Sequence, residues 1–251
     1  MKSLFASAAL LVGLTVPLHA ATPAPATQPR ATTAPARELI RISATLPDSK
    51  EKITAVLDVN GAPEYKEWGI KAANYALKWY PELDKHLPSE GFTPPREFGI
   101  VIREAKGVAY TSGTTITINV GYLKNHTDDL GMVAHELVHV IQHYRSRANP
   151  GWLVEGIADY MRYFVVEPGA KNARFDPERI SYKRGYQPAA AMLNYIEKQK
   201  GPGIVVKLNT IMREGKYKPE GKADPDTFKE VTGYEPDALW VDFKASLKPA
   251  K

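Results

Sequence analysis

The chain of 251 residues contains no cysteine, so no disulfide can brace it and no lipidated cysteine can anchor it. Beyond the N-terminus no apolar run approaches the length of a membrane span, and no internal repeat is present. Lysine and arginine outnumber aspartate and glutamate by only 33 to 28, a formal charge of +5 that is scattered rather than clustered. With no nucleic-acid motif beside it, that mild basicity reads as a solvated face and gives no reason to expect a nucleic-acid partner.

The N-terminus is built differently. Lys2, an apolar run from Leu4 to Val16 and the small pair Ala20-Ala21 have the order of a secretory leader, too short to span a bilayer, although Leu18 is not the small residue usual near a cleavage site. Residues 21–37 follow, with Pro23, Pro25, Pro29 and Pro35 among alanine and threonine, a composition that cannot build a core and suits an extended tether. The expected organisation is a signal peptide over 1–20, a linker over 21–37 and one domain over 38–251. The mature protein is expected in the periplasm or outside the cell, as a monomer with no transmembrane anchor.

Within that domain, short strands are expected near Leu39–Ala44, Ile53–Val59 and Phe98–Arg103, with a helix from Pro63 to Tyr80 between the last two. The segment Gly107–Val120 reads as two strands around a turn at Gly113, with Thr115 to Asn119 alternating at period two, and predicts a hairpin, either an ordinary one or an edge able to pair with an extended peptide. Later helices are expected over Pro188–Gln199, Ile204–Arg213, Pro225–Val231 and Asp237–Ser246. Sheet first and helices later predicts α+β, with Trp68, Tyr75, Trp79, Trp240 and Phe243 in the core.

The pentapeptide His135-Glu136-Leu137-Val138-His139 carries the chemistry. On a helix, residues four apart lie one above the other, about 6 Å along the axis, so both imidazoles can converge on one zinc ion. Glu136, turned about 100° away, can instead reach a water at the ion as general base. Thr127, Asp128 and Asp129 supply N-terminal character ahead of an apolar helix.

Downstream, Gly151–Tyr160 after Pro150 predicts a second helix, on which Glu155 and Asp159 share one face. Glu155 then offers a third ligand and Asp159 an acceptor for the ring N–H of a ligating histidine; Asp159 as ligand is the alternative. Gly156 removes a side chain where two helices approach. Gln142 is placed either to bond within the site or to satisfy itself at the helix end, and His143, about 12 Å along the helix from His135, reads as a surface histidine. Tyr186 and Tyr182 are candidate donors to a tetrahedral oxyanion, or packing residues, with Tyr186 preferred. A metzincin would need glycine and histidine where this chain has Gln142 and Arg145, so that pattern fails.

HELVHVIQHY, WLVEGIADY, the block from Ser181 to Asn209 and the closing FKEVTGYEPDALWVDF together resemble the basic secretory protein family, the zinc peptidases of plants and bacteria, over about Ile53 to Phe243. HExxH with a downstream ExxxD is the pattern of zincins whose third ligand is glutamate, the gluzincins. The resemblance implies a zincin-like fold, a small N-terminal sheet with an HExxH helix and a mainly helical second half. It implies zinc held by His135, His139 and Glu155, with Glu136 as base and a peptide or protein as substrate. The reading of another class is an exported binding protein on the same scaffold, with structural zinc and little or no peptidase activity.

Overall fold

The computed structural model describes residues 37–168, 175–219 and 226–248. The chain divides into two units, Met1–Ala36 and Arg37–Lys251, and the first, with the leader and almost all of the linker expected above, lies outside the described residues. Among the described residues no helix is long and apolar enough to cross a membrane.

The second unit is α+β. Strands β1 (Ile40–Thr45), β2 (Lys52–Asp58), β3 (Glu97–Arg103), β4 (Ala109–Ser112) and β5 (Thr115–Asn119) form one sheet in the order β1-β2-β3-β5-β4. The two outer pairs are antiparallel and the inner pairs parallel. Alternation sets the register: Ile53, Ala55 and Leu57, Phe98, Ile100 and Ile102, and Ile116 and Ile118 are all buried on one apolar face. Helix α1 (Lys66–His86) crosses between β2 and β3 and packs on β2. A short α2 (Val120–Leu123) follows β5, and α3 (Gly131–Gln142) then lies against α1, β4 and β5.

The second half is helical: α4 (Gly151–Tyr160), α5 (Tyr186–Lys200), α6 (Ile204–Arg213), α7 (Thr227–Thr232) and α8 (Pro236–Ser246). A π-helical stretch, Met161–Val166, continues α4 and brings Arg162 to Asp129, whose Oδ1 accepts from the backbone N–H of Met132 in the first turn of α3. At the other end of α3, Arg213 donates to the carbonyls of Gln142 (3.1 Å) and Ile141 (3.1 Å), and also to that of Leu87 (3.0 Å) just past α1. Both ends of α3 are therefore fastened by arginines that follow it in the chain.

Several expected boundaries move. Helix α1 does not stop at Tyr80 but runs through Pro81 to His86, because Leu83 and Leu87 are fully buried and their packing outweighs the hydrogen bond that proline forfeits. Helix α5 starts at Tyr186 rather than Pro188. Trp240 and Phe243 are buried, whereas Trp68, Tyr75 and Trp79 are only partly so; they form a flank over the core while Ala72, Ala76 and Tyr80 occupy its interior. Gly156 does sit at a close helix approach, but the neighbour is α5: a Cβ there would lie 2.7 Å from that of Ala189. Gly156→Val should therefore cost about 1–3 kcal/mol by overpacking. An unchanged Tm in thermal unfolding would remove that contact from the account.

Candidate active site

Every residue of α3 except His139 is buried, so the histidine helix runs through the core and opens to solvent at one imidazole. His135 Nδ1 lies 2.6 Å from Asp159 Oδ1 and His139 Nδ1 lies 2.8 Å from Gln142 Oε1. Ionised carboxylate and amide oxygens only accept, so both Nδ1 atoms carry a proton and the two Nε2 atoms are the ones a metal would take. Those two Nε2 atoms are 3.2 Å apart, and Glu155 Oε2 is 3.1 Å from the first and 3.5 Å from the second. Bonds of about 2.0–2.1 Å in a tetrahedron place neighbouring ligand atoms about 3.3 Å apart. His135, His139 and Glu155 thus have the donor types and spacing of a zinc site with a further position open.

The electrostatics agree with a cation at that point. Burial disfavours a charged His135, yet the hydrogen bonds to Asp159 and Glu155 outweigh it and raise its pKa to about 10. Burial also pushes Glu155 up, and the two imidazoles outweigh that, holding its carboxyl well below the usual carboxylate range. Gln142 completes the frame by donating from Nε2 to the carbonyl of Val154 in α4 (3.3 Å).

Glu136 faces the same cleft. Thr111 Oγ1, on edge strand β4, lies 2.7 Å from its Oε2 and 3.0 Å from its backbone carbonyl, so a hydroxyl donor holds one side of the carboxylate, and the other oxygen has no hydrogen-bond partner among the described residues. Thr111 was missed by sequence reasoning. No local signal marks it, since Val108 and Tyr110, the larger apolar residues of that stretch, are the exposed ones, and only the strand order brings β4 over α3.

Tyr186 reaches the site and Tyr182 does not. The Tyr182 ring is buried against Trp152, and its hydroxyl donates to Asp237 Oδ1 (2.7 Å). Tyr186 is 49% exposed, and its ring lies 5.9 Å from that of His135, nearly parallel. Burial, and then the charges of Glu155, Glu136 and Asp159, raise the pKa of its phenol, which stays a proton donor. Its backbone is strained: Gly185 has φ 76° and Tyr186 itself φ 51°, a left-handed conformation that bulky residues avoid. Gly185 is required there twice over, since a Cβ would also sit 3.1 Å from that of Glu155. His143, also left-handed at φ 46°, ends α3 and stacks near Phe92 rather than joining the histidine pair.

These groups line a cleft of about 1120 Å³ that runs from β4 past the histidines to Phe175 and Ile180. That volume lies just above the usual range of small-molecule pockets and leaves room for a stretch of extended chain. Among the described residues edge strand β4 pairs only with β5, so its outer side keeps a row of backbone donors and acceptors.

The family model described as a peptidase of plants and bacteria matches residues 36–243. No curated protein matches the chain. Among solved structures, an M1 zinc metallopeptidase from Deinococcus radiodurans is similar, with a TM-score of 0.50 and 14% identity over 82% of this chain and 51% of that one. A mutant of that M1 enzyme matches with a TM-score of 0.49 and 12% identity, over 82% and 52%. This chain spans about half the length of the structures it matches, and the likeness is one of fold.

Proposed function

The chain belongs to the family of peptidases of plants and bacteria, and from that premise we propose that it is a zinc-dependent metallopeptidase which cleaves peptide bonds after export, in the periplasm or outside the cell, as a monomer. The observation that carries the proposal is the convergence of His135, His139 and Glu155 within 4.8 Å of one another, beside Glu136 and beneath an open strand edge.

His135, His139 and Glu155 would hold the ion. When bound, zinc supplies Lewis acidity, polarising the scissile carbonyl and making the attacking water more acidic. The other roles fall to side chains. Glu136, kept in place by Thr111, takes a proton from the attacking water on its free carboxylate oxygen and passes it to the leaving amine. Asp159 and Gln142 fix the tautomer and orientation of the two imidazoles. The substrate lies extended along the outer edge of β4. The Tyr186 hydroxyl donates to the carbonyl oxygen as negative charge develops on it. A strained backbone at an exposed tyrosine fits that use, because packing alone would not hold it there.

Elemental analysis of gently purified protein should find about one zinc per chain, and casein should be hydrolysed until a chelator removes the metal. A protein that takes up no zinc even on reconstitution would overturn the proposal. Tyr186→Phe should lower kcat by about 10²-fold with little change in KM, the signature of a bond made only in the transition state. An unchanged kcat would take Tyr186 out of the mechanism.

A further inference from the structure

Six side chains lining the cleft are charged: Glu136, Glu155, Asp159, Arg145, Arg162 and Arg184. Four are already engaged. Glu136 accepts from Thr111, Glu155 and Asp159 bond the histidines, and Arg162 pairs with Asp129 and Glu167. Arg145 and Arg184 are exposed, and neither side chain makes an ion pair or hydrogen bond with a described residue. Arg145 and Arg184 are thus the two cations of the lining whose side chains have no ion-pair partner among the described residues, and they line the same cleft as the reacting groups. Arg145 comes shortly after the end of the histidine helix, and Arg184 precedes the Gly185-Tyr186 bend that presses on Glu155. The remainder of the lining is largely apolar or aromatic, with Val108, Met132, Val154, Phe175 and Ile180, and offers a lysine or arginine of a substrate no carboxylate other than that of Glu136, which the proposed mechanism uses.

Resting on the peptidase reading above, we propose that the cleft selects peptides carrying a carboxylate near the cleaved bond, and that Arg145 and Arg184 are the residues that read it. The planar guanidinium fork matches a carboxylate in two parallel hydrogen bonds, and a peptide supplies that group either from an aspartate or glutamate side chain or from its own C-terminus. Both arginines are solvent-exposed, so the preference is modest and screened by salt.

The test uses short labelled peptides, otherwise uncharged, in which one glutamate is walked along the chain against glutamine controls, each made with a free and an amidated C-terminus. Binding is measured to zinc-loaded Glu136→Gln protein, with and without Arg145→Gln plus Arg184→Gln, while kcat/KM is measured on the wild type. At the favoured position glutamate should bind roughly 3- to 10-fold more tightly than glutamine at low salt, and the advantage should vanish at about 0.5 M salt and in the double arginine variant. An advantage that follows the free C-terminus and is lost in the same variant also supports the proposal and identifies the terminal carboxylate as the group read. Equal binding of glutamate and glutamine peptides regardless of their C-termini, or an advantage that survives loss of both arginines, overturns it. Retained preference in binding with no hydrolysis by the wild type would sink the peptidase reading alone.

Discussion

Glu136→Gln is expected to abolish nearly all turnover, lowering kcat by about 10²–10⁴-fold, while zinc per chain stays at the wild-type level. The substitution keeps the shape of the side chain and an oxygen for Thr111 to donate to, but removes the basic carboxylate oxygen that the mechanism uses. Glu136 is not among the three residues whose ligand atoms converge, so the metal has no reason to leave. Casein hydrolysis with parallel elemental analysis checks both halves. Activity equal to wild type would trace the hydrolysis to a contaminant, and loss of zinc together with activity would make Glu136 part of the metal site.

The second large effect separates two carboxylates one helical turn apart. Glu155→Ala should leave only traces of zinc after dialysis, because it removes one of three converging ligand atoms. Asp159→Ala should retain zinc with an affinity about 10–100-fold weaker, because Asp159 lies 2.6 Å from the far nitrogen of His135 and orients the ring. Competition with a chelator of known affinity measures both. The reverse order of losses would make Asp159 the ligand and turn the Glu155 contact into an orienting one.

Much of this centre could be read from spacing alone. Residues four apart share a helix face, so His135 with His139 and Glu155 with Asp159 each form a pair before any coordinates exist. Other features depend on partners far along the chain. Thr111 meets Glu136 only because β5 lies between β3 and β4, and Gly156 meets Ala189 only once α5 has folded back. The helix expected to end at Tyr80 runs on through Pro81 because buried Leu83 and Leu87 hold it, and the π-helical turn that aims Arg162 at Asp129 has no local signature. The aromatic stripe was placed too deep because bulk and periodicity report an apolar face, not which of its members lies nearest the sheet. Tyr186 and Tyr182 are separable only by their surroundings in the fold: the Tyr182 ring is buried with its hydroxyl held by Asp237, and the Tyr186 ring lies beside that of His135.

The arginine that closes the end of α3 carries a dynamic consequence. Since one guanidinium holds the carbonyls of Ile141, Gln142 and Leu87, the last turns of two helices belong to a single cooperative unit. Gln142 in turn touches His139, so whatever holds His139 still is expected also to slow amide exchange at the end of α1, which contributes no group to the cleft.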